Sequence, residues 1–177
     1  MSTKGFVSPE VWAQQQFGTA DLGDERRTRR AVKLAAQIAR HPAASLPDQT
    51  ERWADTKAGY RLFAQSDVTF EALSAPHGQG TREAARTPET VLMIQDTSSL
   101  DFSSHRSARG LGPIGDGNGY GLMLHSTLAV DPSGAGQVLG LACQKLFCRQ
   151  ETPEEETRTE RKDRWRESQI WPESVRE

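Results

Sequence analysis

The sequence predicts an α+β chain, a small helical amino-terminal domain followed by three antiparallel strands, and three observations predict it. Up to about residue 86 the apolar residues recur at helical spacing between capping residues. Beyond Thr87-Pro88 they gather instead into short runs separated by turn residues. The third observation is bulk composition: 177 residues with 35% hydrophobic content and a mean hydropathy of -0.67 support one core of modest size, with much of the length solvated. The helical domain is expected over 8–86, the strands over 87–150 and a charged tail over 151–177.

Ser8 is placed to cap a first helix with Pro9 at its first position, and Val11, Trp12 and Phe17 give it an apolar edge before Gly18. Asp24 caps a second, in which Ala31, Leu34, Ala35 and Ile38 recur at i, i+3, i+4, i+7 until Pro42 ends it. After a turn at Pro47, Thr50 can cap a third, lined on one side by Trp53, Tyr60, Phe63 and Ala64. Thr69 starts a fourth containing Phe70 and Leu73, which Pro76 kinks or divides before it ends near Arg86.

The run Thr90-Val91-Leu92-Met93-Ile94 reads as a buried central strand that delivers the Asp96 carboxylate to its exit, with Thr97-Ser98-Ser99 as the following turn. Strands over Gly121 to Val130 and Val138 to Phe147 come next, with Asp131-Pro132-Ser133-Gly134 turning between them. From Gln150 onward the chain is dense in Glu and Arg, with Trp165, Ile170 and Trp171 as apolar exceptions. That composition fits a solvated helix or disorder.

A formal net charge of -2 gives no global attraction to nucleic acid, so any such binding must come from a local patch. Met1 to Pro9 has no apolar stretch of the kind a secretory leader needs, and no membrane-spanning run occurs, so a soluble cytoplasmic chain is expected. Cys143 and Cys148 read as reduced structural thiols, because no CxxC or His-x-x-x-His spacing offers zinc a site.

The local patch exists. Arg26, Arg30 and Lys33 fall at i, i+4, i+7 on one face of the second helix, where they can neutralise phosphates while the opposite face packs. The bland alternative is an exposed charged face, yet basic residues in a first turn oppose the helix dipole, a cost that solvation does not explain. Gly110-Leu111-Gly112-Pro113-Ile114-Gly115 matches GxGxxG in letters only. It holds a proline and leads into a strand, so it reads as a flexible connection. Asp116 to Tyr120 has calcium-loop spacing, but Thr127 stands where the closing acid is required, and it joins the same loop. His125, inside the second long strand, could face Asp96 across the sheet, although a packed histidine is the commoner outcome. His41, His77 and His105 fall in loops without partners.

Together these residues resemble the bacterial cut-and-paste DDE transposases of the IS-four group (Tn-five type), over Trp12 to about Trp171. The resemblance is carried by Trp12-Ala13 with Phe17, Leu22-Gly23-Asp24 with Arg26-Arg27-Thr28 and Arg30, Gly59-Tyr60-Arg61, Gln95 to Leu100, Leu111-Gly112, Leu124-His125-Ser126 and Gly140-Leu141. It implies a helical domain that recognises double-stranded transposon ends and a ribonuclease-H-like domain that holds magnesium or manganese between three carboxylates. On that basis Asp96 matches the first catalytic and metal-binding aspartate, and Arg26, Arg27, Arg30 and Arg61 match DNA-facing positions. Lys33 joins the DNA-binding set by its spacing alone.

The family continues with a fourth strand bearing the second aspartate and a helix bearing the glutamate, and neither is recognised here. Two-metal chemistry needs several carboxylates around ions about 3.5 to 4 Å apart, and one aspartate holds magnesium weakly. The expectation is therefore the DNA-binding amino-terminal portion of a transposase with a truncated ribonuclease-H-like fold, no stably held metal, and no cleavage or strand transfer by this chain alone. The family's dimerisation elements are not recognised either. A regulatory protein that occupies transposon ends is the alternative, and a sheet lacking its later strands is expected to lower solubility.

Overall fold

The computed structural model describes residues 7–176 apart from 106, 117, 151, 152 and 154. Residues 1–6, read above for a leader, and Gly117, within the segment compared with a calcium loop, lie outside them. Two compact units divide the chain, Met1–Gly80 and Thr81–Glu177.

The first unit is helical. Helix α1 (Pro9–Phe17) starts where Ser8 Oγ accepts the Val11 N–H, and it buries Ala13 rather than Val11 or Trp12, which stay largely exposed. Helix α2 (Glu25–Arg40) begins at the Asp24 cap and packs through Ala31, Leu34 and Ala36, while Ala35 and Ile38 are half-buried. A short helix α3 (Leu46–Gln49) replaces the turn expected at Pro47, which instead occupies the opening of that helix.

Helix α4 (Trp53–Phe63) corrects the sequence reading most sharply. Thr50 is not its cap. Its hydroxyl lies 2.5 Å from that of Thr56, below the helix start. Trp53, Tyr60 and Phe63 point outward, and the packed face is Asp55, Thr56, Gly59 and Leu62. The reason is a close approach between helices: a Cβ placed on Gly59 would sit 3.4 Å from Leu34 Cδ2, a distance that leaves no room for large side chains there. Leu62 closes a core with Ala20, Leu22, Ala31 and Leu34.

Helix α5 (Phe70–Ala84) runs as one element through Pro76 and ends earlier than expected, with Thr69 Oγ1 accepting the Ala72 N–H at its start. His77 therefore lies on a helix, and its Nδ1 bonds the Gln16 side chain of α1.

In the second unit, β1 (Leu92–Asp101), β2 (Gly112–Ile114), β3 (Gly119–Asp131) and β4 (Gln137–Phe147) form one antiparallel sheet. β3 is central, with β1 along one side and both β2 and β4 on its remaining partners. The glycine-rich stretch is thus a hairpin arm, with Gly115 in the left-handed conformation (φ 59°) where the chain reverses. β1 is an edge strand, not a buried central one, and Leu92 and Ile94 are about half exposed. Thr97, Ser98 and Ser99 do not turn. They pair with His125, Leu124 and Met123, because the long apolar partner strand outweighs their local turn preference.

Along β3 burial alternates. Met123, His125, Thr127 and Ala129 are buried, and Leu122, Leu124, Ser126 and Leu128 are only half covered. The buried face is closed by the carboxy-terminal segment, which corrects the expectation of a solvated tail. Helix α6 (Arg158–Asp163) carries a capping box at Thr157 and Glu160, and a single 3-10 turn (Glu167–Gln169) leads into α7 (Ile170–Arg176). Ile170 and Ser174 are buried, Trp171 meets His125 edge-on, Trp165 meets Phe147 edge-on, and Arg149 grips Glu167 through two nitrogens. The few apolar residues among many charges suffice for docking because they recur on one side of the final turns.

Two bulges break the β3–β4 register beside Gly140, whose φ of 146° suits only glycine and whose absent side chain lets Thr81 approach. Gly140→Ala is expected to destabilise the sheet unit by about 1–3 kcal/mol, from backbone strain plus the clash with Thr81, in urea unfolding.

Candidate nucleic-acid interface

The cations gather on α2, and its cap makes that tolerable. Asp24 Oδ1 accepts the Arg26 N–H at 2.7 Å and Glu25 follows, so negative charge stands at the helix start that four arginines would otherwise burden. Arg27 turns inward. Its guanidinium donates to the Leu22 carbonyl at 3.0 Å and to Asp67 at 2.5 Å, tying the start of α2 to the chain beyond α4.

Arg30 and Lys33 share one oxygen. Arg30 Nη1 lies 3.1 Å and Lys33 Nζ 2.6 Å from Asp55 Oδ1, so the two cations are drawn together by an anion supplied from α4. The Lys33 hydrogen bond, and behind it the charges of Lys33 and Arg30, holds the Asp55 carboxyl below the usual range against the opposing effect of burial. A depressed acid adds stability that is fully present above its unfolded value, about pH 4, and is lost as pH falls through the lower folded value. The stability of the helical unit should therefore decline below about pH 4, and Asp55→Asn should flatten that decline in acid titrations followed by circular dichroism.

Arg40 pairs with Glu10 and, at 3.7 Å, with Glu51, so the carboxy-terminal end of α2 is also internally balanced. Arg26 and Arg61 differ from all of these. Both are exposed and have no carboxylate partner among the described residues. Of the five cations proposed for DNA, two are free and three are braced against Asp67 or Asp55, with Arg30 and Lys33 still partly open to solvent. Sequence reasoning found the cations and missed their counter-charges. The spacing of Asp55, Gly59 and Leu62 at i, i+4, i+7 was the available signal.

In the sheet unit, Asp96 sits at mid-strand, not at the strand exit. It pairs in register with Ser126, and Ser126 with Gln144, so a polar row crosses the less covered face between Ile94, Leu124, Leu128 and Leu146. Ser98 Oγ donates to Asp96 at 3.4 Å. His125 does not share this row: its register partner is Thr97, on the opposite face, whose hydroxyl lies 2.7 Å from His125 Nδ1. Ser174 Oγ is 3.2 Å from His125 Nε2. Burial holds the imidazole below its ordinary value, with Asp96 raising it and Lys145 lowering it further. Among the described residues no three His, Cys, Asp or Glu side chains are grouped so that they could hold a metal ion. Neither Cys143 nor Cys148 is in a disulfide, and Cys148 Sγ donates to the Gly110 carbonyl.

Residues 9–68 match the family model for transposase DNA-binding domains. The match takes in α1 to α4 and all five cations proposed for DNA, and it supports a transposase amino-terminal region with DNA as its partner. The antiparallel sheet follows it, giving a mixed α+β chain. No helix among the described residues is long and apolar enough to cross a membrane.

Proposed function

We propose that this chain is the DNA-gripping portion of a cut-and-paste transposase and that it engages double-stranded transposon ends without cutting them. The observation that carries the reading is the helical unit itself, matched to transposase DNA-binding domains, with Arg26 and Arg61 exposed and Arg30 and Lys33 held side by side. Arg26, Arg30, Lys33 and Arg61 supply phosphate contacts, and Arg27 chiefly fixes the start of α2.

The finer assignments belong to the same proposal. The strand order β4-β3-β1, with Asp96 on the first strand and all neighbours antiparallel, supports the opening of a ribonuclease-H-like fold of the IS-four type. In the intact family magnesium or manganese supplies the nucleophilic water. Asp96 alone would hold such an ion weakly, since magnesium keeps its waters and demands an octahedral shell. No catalytic step is assigned to this chain. The test is a titration of end-sequence duplex against random duplex with and without magnesium. Saturable, salt-sensitive binding without nicking is expected. Binding indifferent to salt would remove the DNA reading, and nicking lost on Asp96→Ala would overturn the inactive assignment.

A further inference from the structure

The outward row of α4 is unexplained by packing. Trp53 is 65% and Tyr60 54% exposed, and they stand seven residues apart, nearly aligned and about 10 Å from each other along the axis. Lys57 lies between them with its ammonium 5.5 Å from the centre of the Trp53 ring. Arg61 flanks the row on the next turn and Arg52 precedes it. Neither these arginines nor Lys57 has a carboxylate partner among the described residues, whereas Arg27, Arg30 and Lys33 of α2 are engaged by Asp67 and Asp55.

A single exposed ring is ordinary on a protein surface, but two rings interleaved with unneutralised cations on one helical stripe are not. Aromatic faces attract nucleobases once those are free of their own stack, and cations beside them meet the connecting phosphates. An acidic protein would use the charges and leave the ring faces idle. A paired duplex would do the same, because its bases are stacked on one another.

We propose that Trp53 and Tyr60, with Lys57 and Arg61 beside them, form a stacking surface for unpaired DNA bases, so that the helical unit prefers DNA ends whose terminal bases are open. This rests on the DNA-binding reading above and adds the state of the DNA that is recognised. Each ring takes one base of an opened strand, while Lys57 and Arg61 hold the backbone that joins them.

The experiment uses the full chain in fluorescence anisotropy at one salt concentration, with a blunt duplex and the same duplex carrying a few mispaired terminal bases. The opened duplex is expected to bind roughly tenfold tighter or better, since stacking on an aromatic side chain contributes about 1–3 kcal/mol per base. Trp53→Ala and Tyr60→Ala should each shrink that preference and leave blunt-duplex affinity within about twofold, while Tyr60→Phe, which keeps the ring, retains it. Lys57→Ala should weaken the opened duplex more than the blunt one. Equal affinity of the parent chain for the two duplexes would overturn the stacking surface while leaving duplex binding intact. Preference that survives loss of both rings would overturn it as well. Failure to bind either DNA would sink this inference and the reading beneath it together.

Discussion

Replacing His125 by alanine is expected to lower the unfolding free energy of the sheet unit by about 3–4 kcal/mol, and its melting temperature by roughly 15 °C. The imidazole has no solvent exposure, bonds Thr97 on one side and Ser174 on the other, and receives the edge of Trp171. Its loss opens a cavity and strips a partner from two sheltered hydroxyls, and the group that then lets go is α7, whose seat is this face of the sheet. Near-ultraviolet circular dichroism should lose signal from docked tryptophan before the far-ultraviolet sheet signal falls. The parent chain should also weaken as pH drops below about 6.5, because burial keeps His125 neutral when folded and the unfolded chain takes up the proton. In the alanine variant the sheet unit should lose that dependence while the half-buried His77 of the helical unit keeps its own, and an unchanged melt would contradict the role given to His125.

Duplex affinity should fall roughly 100-fold between about 50 and 200 mM salt, if about four phosphates are neutralised at about 0.9 counterions each. The structure refines what mutation will do to that slope. Arg26 has no carboxylate partner among the described residues, so Arg26→Ala should flatten the slope by nearly one full unit. Arg30→Ala should flatten it by less, because Asp55 already holds that guanidinium and Lys33 can take over the shared oxygen. The double variant should therefore fall between one and two units short of the parent. Identical slopes for parent and double variant would show that this face does not meet DNA.

Much of the architecture was legible in the sequence, for identifiable reasons. Ser8-Pro9 and Asp24 are local chemical signals, and local signals set helix starts wherever the tertiary structure does not intervene. The strands over 119–131 and 137–147 were legible because both carry continuous apolar runs. Helix α4 misled because the largest apolar residues were assumed to face inward. The face of α4 that packs is Asp55, Thr56, Gly59 and Leu62, with Leu34 of α2 3.4 Å from where a Cβ on Gly59 would sit, a constraint set by a neighbour more than twenty residues away. β1 misled for a related reason: Thr97 to Ser99 are turn formers in isolation and strand residues only because β3 offers them a ladder. The docked carboxy-terminal helix was obscured by composition, since the surrounding Glu and Arg outweighed Trp165, Ile170 and Trp171 and nothing marked Ser174 as buried.

At the candidate site the positions of the cations were readable and their engagement was not. Helical spacing places Arg30 and Lys33 together, but only the fold brings Asp55 to them. The same holds for Asp96, whose identity was plain and whose surroundings depended on a register that puts Ser126, not His125, beside it.

Among the described residues the outer margin of β1 keeps one row of amide and carbonyl groups without strand partners over ten positions, and neither lysine nor proline guards it. Such a margin recruits extended backbone from whatever molecule presents it. Purified chain should accordingly gain scattering intensity with concentration, and a charged residue introduced at Ile94 should slow that growth without disturbing the grip on DNA.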